Sequence, residues 1–134
     1  MTLQFKIKKS SDVVFDYLTD MQKFVSIHPI ITKIDDLAGD KYLVHETLKM
    51  GFIPISFTYP VTVSGDNKTK IVKINAVVMK INKVEMVFTI SENKDFTVVD
   101  ETITFTTMIP VKSILGKIFK KQHTQLFLNM ELEK

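Results

Sequence analysis

The sequence predicts an α+β protein: a seven-stranded antiparallel sheet with two short helices after the first strand and one long helix at the C-terminal end. Three observations carry this. An alternating N-terminal segment gives way to a helical stripe that stops at His28-Pro29; apolar runs separated by short turn signals follow from Ile30; and the last segment returns to helical spacing.

In the first segment, Leu3, Phe5 and Ile7 alternate with Gln4, Lys6 and Lys8, the period of two expected of a strand with one face inward. Ser10 or Ser11 can cap the helix that follows, with Asp12 near its positive end, and Val14, Leu18, Met21 and Val25 fall at helical spacing. Thr19-Asp20 can restart the helix, because either side chain accepts hydrogen bonds from the next free backbone N–H groups, so two short helices should meet there. Pro29 ends the second, since the residue before a proline is driven out of the helical region.

Beyond it, turn signals at Ala38-Gly39-Asp40, Met50-Gly51, Gly65-Asp66-Asn67-Lys68 and Glu92-Asn93-Lys94-Asp95, with a weaker one near Lys80 to Lys83, divide the chain into six further strands. Connections this short imply antiparallel neighbours. Alternation assigns one face to Tyr42, Val44, Glu46, Leu48 and Met50, then Ile55, Phe57, Tyr59, Val61 and Val63, then Val84, Met86, Phe88 and Ile90, then Val99, Glu101, Ile103 and Phe105. In the last segment Val111, Ile114, Leu115, Ile118, Phe119, Gln122, Leu126 and Met130 share one side of a helix that Pro110 suits as a first-turn residue. Running to Leu132, it would span roughly 33 Å, enough to cross a sheet.

This order of elements resembles the helix-grip architecture of the START-like or SRPBCC superfamily, which includes polyketide cyclase/dehydrase-like proteins and pollen-allergen lipid carriers. The residues that carry the likeness are "FKIKKSSDVVFDYLTDMQKFVSIHPIITKI", Phe5 to Ile34, with Val14, Phe15, Leu18 and Asp20 at its centre, and "FTVVDETITFTTM", Phe96 to Met108. The resemblance implies a strongly curved sheet gripping the long final helix, the helix pair propping one end, and an apolar ligand cavity between helix and sheet.

At 134 residues, with 45% hydrophobic and 25% charged residues, the chain is expected to be one globular domain spanning residues 1–134. No stretch approaches the roughly 20 apolar residues of a bilayer span, and the N-terminus lacks an unbroken apolar leader segment, so a cytoplasmic location is expected. The absence of Cys excludes disulfides, thiol nucleophiles and thiolate metal sites. All 18 basic residues are Lys, which denies the chain the bidentate fork that reads guanine or clamps phosphate, and nucleic acid is not an expected partner.

Known catalytic signatures are missing: no serine stands in a G-x-S-x-G elbow, and Gly39, Gly51, Gly65 and Gly116 are too scattered for a phosphate-binding loop. His28, His45 and His123 lack metal-ligand spacing, so neither metal nor cofactor is expected. His28 reads as a stop-and-turn residue, His45 as an outward strand residue, and His123 as packing on the helix flank between Phe119 and Phe127.

Glu46 and Glu101 interrupt otherwise apolar faces, and each must find a donor, stay protonated or reach water. They are weak catalytic candidates; an edge position, a shifted strand register or a structural hydrogen bond to a tyrosine hydroxyl is the plainer account. The expected ligand-contacting set is Val44, Glu46, Phe57, Tyr59, Met86, Phe88, Glu101, Ile103, Ile118, Phe119 and Gln122, whose bulkier apolar members would converge from sheet and helix.

The leading expectation is binding or carriage of a lipid, aromatic or polyketide-like molecule. The alternatives are a cyclase/dehydrase-type enzyme working through a cavity carboxylate or His, and a co-chaperone-like interaction module. Lys112, Lys117, Lys120 and Lys121 offer peripheral contact with an anionic membrane, although a solvated outer face explains them as well.

Overall fold

A computed structural model describes residues 1–107 and 112–133; expectations that fall on the Met50 side chain, Met108, Pro110 and Val111 lie outside the described residues. The elements run β1 Thr2–Ile7, α1 Ser11–Thr19, α2 Met21–Ile27, β2 Ile31–Asp36, β3 Lys41–Met50, β4 Ile53–Asp66, β5 Ile71–Val78, β6 Asn82–Glu92, β7 Thr97–Thr106 and α3 Lys112–Leu132. The strands form one antiparallel sheet in the order β1-β7-β6-β5-β4-β3-β2, so every neighbour is a hairpin partner except β1, which closes on β7. This is the curved sheet and long helix of the helix-grip fold.

Local chemistry sets the helix breaks. The Ser10 side chain accepts from Val13 N–H to start α1. Asp20 has extended backbone angles, so α1 ends there, and its carboxylate accepts from the Gln22 and Lys23 N–H groups to start α2 at once. α2 stops at His28, whose φ of −76° and ψ of 133° are those a following proline demands. Gly65 lets α1 lie on β4, for a Cβ there would stand 2.8 Å from Thr19 Cγ2 and 3.1 Å from Phe15 Cζ.

The predicted sheet faces hold for β6 and β7, where Val84, Phe88, Ile90, Val99, Glu101 and Ile103 are buried. β4 departs at its start. Its pairing with β5 begins only at Val61 opposite Ala76, so the β3–β4 hairpin overhangs the rest of the sheet and Ile55 is exposed rather than inward.

The predicted inner side of α3 holds at Leu115, Ile118, Phe119, Gln122, Leu126 and Met130, departs at Ile114, and widens to take in His123 and Phe127. His123, Leu126, Phe127 and Met130 form its buried stripe, and Ile114 is exposed. The widening has a packing cause: Phe127 stacks on Phe5 of β1 at 4.4 Å between ring centroids and meets Phe88 of β6 edge-on at 6.2 Å, which draws that flank of the helix's C-terminal half inward.

Candidate functional site

Because α3 packs closely only through its C-terminal half, its first half stands away from the sheet over β3–β6. The space left is a cavity of about 190 Å³. Sheet residues Val44, Glu46, Leu48, Phe57, Tyr59, Val61, Ile74, Ala76, Val78, Val84 and Met86 form its floor; Leu115, Ile118, Phe119, Gln122 and His123 form its roof. Met21, Phe24 and His28 close the α2 end with Ile31 and Ile34. Asn82, which accepts from the Thr107 hydroxyl at 2.6 Å, stands at the β5–β6 turn.

Of the residues singled out in the sequence, Val44, Glu46, Phe57, Tyr59, Met86, Ile118, Phe119 and Gln122 are brought together in this wall. Phe88, Glu101 and Ile103 are not. They are 0%, 0% and 1% exposed and lie under the half of α3 that is packed shut, so they belong to the core beside the cavity.

The polar groups are few and specific. Tyr59 donates its hydroxyl to Glu46 Oε1 at 2.8 Å, the tyrosine partnership anticipated for a buried carboxylate. Burial pushes the Glu46 carboxyl above its ordinary pKa, against the opposing pull of the Tyr59 hydrogen bond and of nearby His123. Burial, reinforced by the Glu46 charge, holds the Tyr59 phenol well above its own ordinary value.

Glu101 has a different partner, one that no sequence pattern foreshadows. His123 Nδ1 lies 2.7 Å from each of its carboxylate oxygens, with the hydrogen bond directed to Oε1, and Oε2 has no other partner among the described residues. His123 is therefore not flank packing: it is 3% exposed, held between Phe88 and Phe119, and part of the cavity wall. Spacing holds the signal for its burial, since 119, 122, 123, 126, 127 and 130 form one i, i+3, i+4 series.

His28 also faces the cavity while serving as the turn residue expected of it. Its Nδ1 accepts from the Ile30 and Ile31 N–H groups at 3.2 and 3.1 Å. Burial, with the charge of His123 nearby, pushes its pKa down to about 3, so the ring is neutral at physiological pH. His45 stays outside, paired with Asp35 at 2.7 Å. Among the described residues no three metal-ligating side chains stand together.

With this geometry in place, comparison with known proteins is decisive on kinship. The profile of the CoxG family, named for a component of carbon monoxide dehydrogenase, matches residues 4–127. The chain belongs to the CoxG family. No curated protein matches the sequence significantly.

Several solved structures share the fold of this CoxG-family chain. Ara h 8.0201 is 14% identical, with a TM-score of 0.77, 98% of this chain and 95% of that one being covered. A conserved protein from Geobacillus kaustophilus is 15% identical with a TM-score of 0.78, over 97% and 91% of the two chains. The di-domain ARO/CYC BexL from the BE-7585A biosynthetic pathway is 10% identical with a TM-score of 0.82, and this chain spans 98% of its own length but 46% of BexL. At such identities the likeness is one of fold.

Proposed function

We propose that this CoxG-family protein binds and carries an apolar or amphipathic small molecule in the cavity between the sheet and α3. The observation that supports it is a partly open, largely apolar space whose polar atoms include several without protein partners: the Gln122 amide and one ring nitrogen each of His28 and His123 make no hydrogen bond among the described residues. Apolar walls supply affinity at roughly 25 cal/mol per Å² buried, and the few polar groups orient one end of the guest. The volume of 190 Å³ limits the enclosed part to about one ring with short substituents, given that a cavity of about 150 Å³ accommodates benzene.

Indole is a fitting probe, since the protein has no Trp and contributes no indole emission of its own. Titration should saturate at one indole per chain with blue-shifted fluorescence. Absence of saturable binding would remove the carrier reading.

A second reading concerns the cavity rim. Phe52, Ile53, Met79, Ile81 and Ile114 are exposed, and they sit in the β3–β4 turn, the β5–β6 turn and the start of α3, all at the open end of the cavity. Lys49, Lys80, Lys83, Lys112 and Lys117 are exposed among them, with Lys120 and Lys121 further along the helix. Apolar side chains inside a ring of lysines suit the boundary of an anionic bilayer, where the former enter the acyl edge and the latter meet phosphates. Sedimentation with phosphatidylserine vesicles should recover the protein in a salt-sensitive way, and Phe52→Asp with Ile53→Asp should release it; equal recovery of both proteins would exclude this surface.

A further inference from the structure

Glu46 and Phe57 stand opposite each other in the β3–β4 pairing, and Tyr59, two residues on, faces the same way. The Tyr59 hydroxyl donates to Glu46 Oε1 at 2.8 Å, and the Phe57 and Tyr59 rings lie 5.9 Å apart between centroids at an interplanar angle of 29°. All three residues line the cavity and all three are half-buried, so each keeps surface that a guest can cover. Glu46 Oε2 makes no hydrogen bond among the described residues. The wall thus offers a carboxylate oxygen without a donor beside two aromatic rings.

No unmatched positive charge of the protein serves this oxygen. Among the described residues no lysine lines the cavity, and burial holds the His28 ring neutral with a pKa of about 3. Glu101 and His123 stand 2.7 Å apart, so an imidazolium there is matched by its own carboxylate, and a neutral ring adds no positive charge. Burial lifts the Glu46 carboxyl above its ordinary pKa despite the Tyr59 bond and the pull of His123, so a cation brought by the guest is the compensation the wall lacks.

A carbonyl or an ether sets an acceptor against an acceptor. An alcohol supplies the hydrogen bond and leaves the charge. A protonated amine supplies both, an N–H for Oε2 and a positive charge that aromatic rings attract. The lysines around the mouth are exposed, and salt screens charges in water over about 8 Å, so they slow entry more than they weaken the contact inside.

We propose that the guest of this cavity is a one-ring organic amine bound as its ammonium, with Glu46 Oε2 accepting from its N–H group and with Phe57 and Tyr59 beside it. This deepens the carrier reading and rests on it.

Three probes of nearly equal shape separate the possibilities: benzylamine carries an ammonium at pH 7.5, benzyl alcohol a hydroxyl and ethylbenzene a methyl group. Their affinities are read by displacement of indole and, independently, by calorimetry. In the native protein benzylamine should bind tightest, although water holds it most strongly. Glu46→Gln keeps the size of the side chain and an oxygen for the Tyr59 hydroxyl while removing the charge. In that variant benzylamine should weaken by about tenfold or more, the equivalent of one charge-assisted hydrogen bond, while ethylbenzene is unaffected. Carboxyl-resolved NMR titration of the native protein gives a second measurement: saturating benzylamine should lower the Glu46 pKa, because a bound cation favours the carboxylate, and ethylbenzene should not. If benzyl alcohol or ethylbenzene binds more tightly than benzylamine to the native protein, the amine assignment is overturned and the carrier reading stands. Undiminished benzylamine binding in the folded variant has the same consequence. A Glu46 titration that benzylamine fails to lower overturns the assignment even if the variant does not fold. Failure of all three probes, with indole also unbound, overturns the carrier reading and this one with it.

Discussion

His28 holds two positions at once: it ends α2 because a proline follows, and its ring closes one end of the cavity. The combination has a cost in acid. The ring has a pKa of about 3 in the folded protein against 6.5 as the ordinary value, so below pH 6.5 the unfolded chain takes up a proton that the native state refuses. Stability tied to His28 is thus intact above about pH 6.5 and drains away as pH falls towards 3. Asn at this position can still present an oxygen to the Ile30 and Ile31 N–H groups and has no proton to gain. His28→Asn should match the native protein in melting temperature at pH 7.5 and surpass it progressively between pH 6 and 4. Parallel melting curves across that range would show that His28 is not a source of acid sensitivity.

At the scale of elements, what the sequence discloses is what one or two residues decide locally. Asp20 both stops α1 and caps α2, Pro29 forces His28 into extended geometry, and Gly39 and Gly51 take the positive φ values, 64° and 67°, that turns require. The β5–β6 turn is faint in the sequence for the converse reason: Met79 and Lys80 occupy positive φ without glycine, a conformation held by the paired strands on either side and not by its own residue types. Expectation and structure part where a partner element decides. The burial of the Phe127 flank of α3 depends on Phe127 finding Phe5, and the exposure of Ile55 on β5 ending short of the β4 start. The site is legible to the same degree. Alternation places Glu46, Tyr59 and Met86 on the cavity face, whereas the Glu101–His123 pair joins residues of separate elements, β7 and α3, and only their packing reveals it.

The cavity belongs to the molecule as a whole, since no residue type encodes an empty space. It exists because a 21-residue helix meets a curved sheet tightly at one end through Phe127, Leu126 and Met130 and diverges from it at the other. The same side chains in a helix lying a few ångströms lower would make a filled core. Gln122 stands in the roof of this space and makes no hydrogen bond among the described residues, so exchanging it deletes no partner. Gln122→Trp should swing an indole ring into the cavity. With 190 Å³ available, the fold should persist with an unchanged or higher melting temperature, the single Trp should emit at short wavelength, and binding of free indole should be lost. A close-packed interior would respond in the opposite way, losing about 1–3 kcal/mol to the forced ring. A variant that melts well below the native protein, with long-wavelength emission from a ring expelled into water, would mean that α3 closes on the sheet in solution and that no cavity is there to fill.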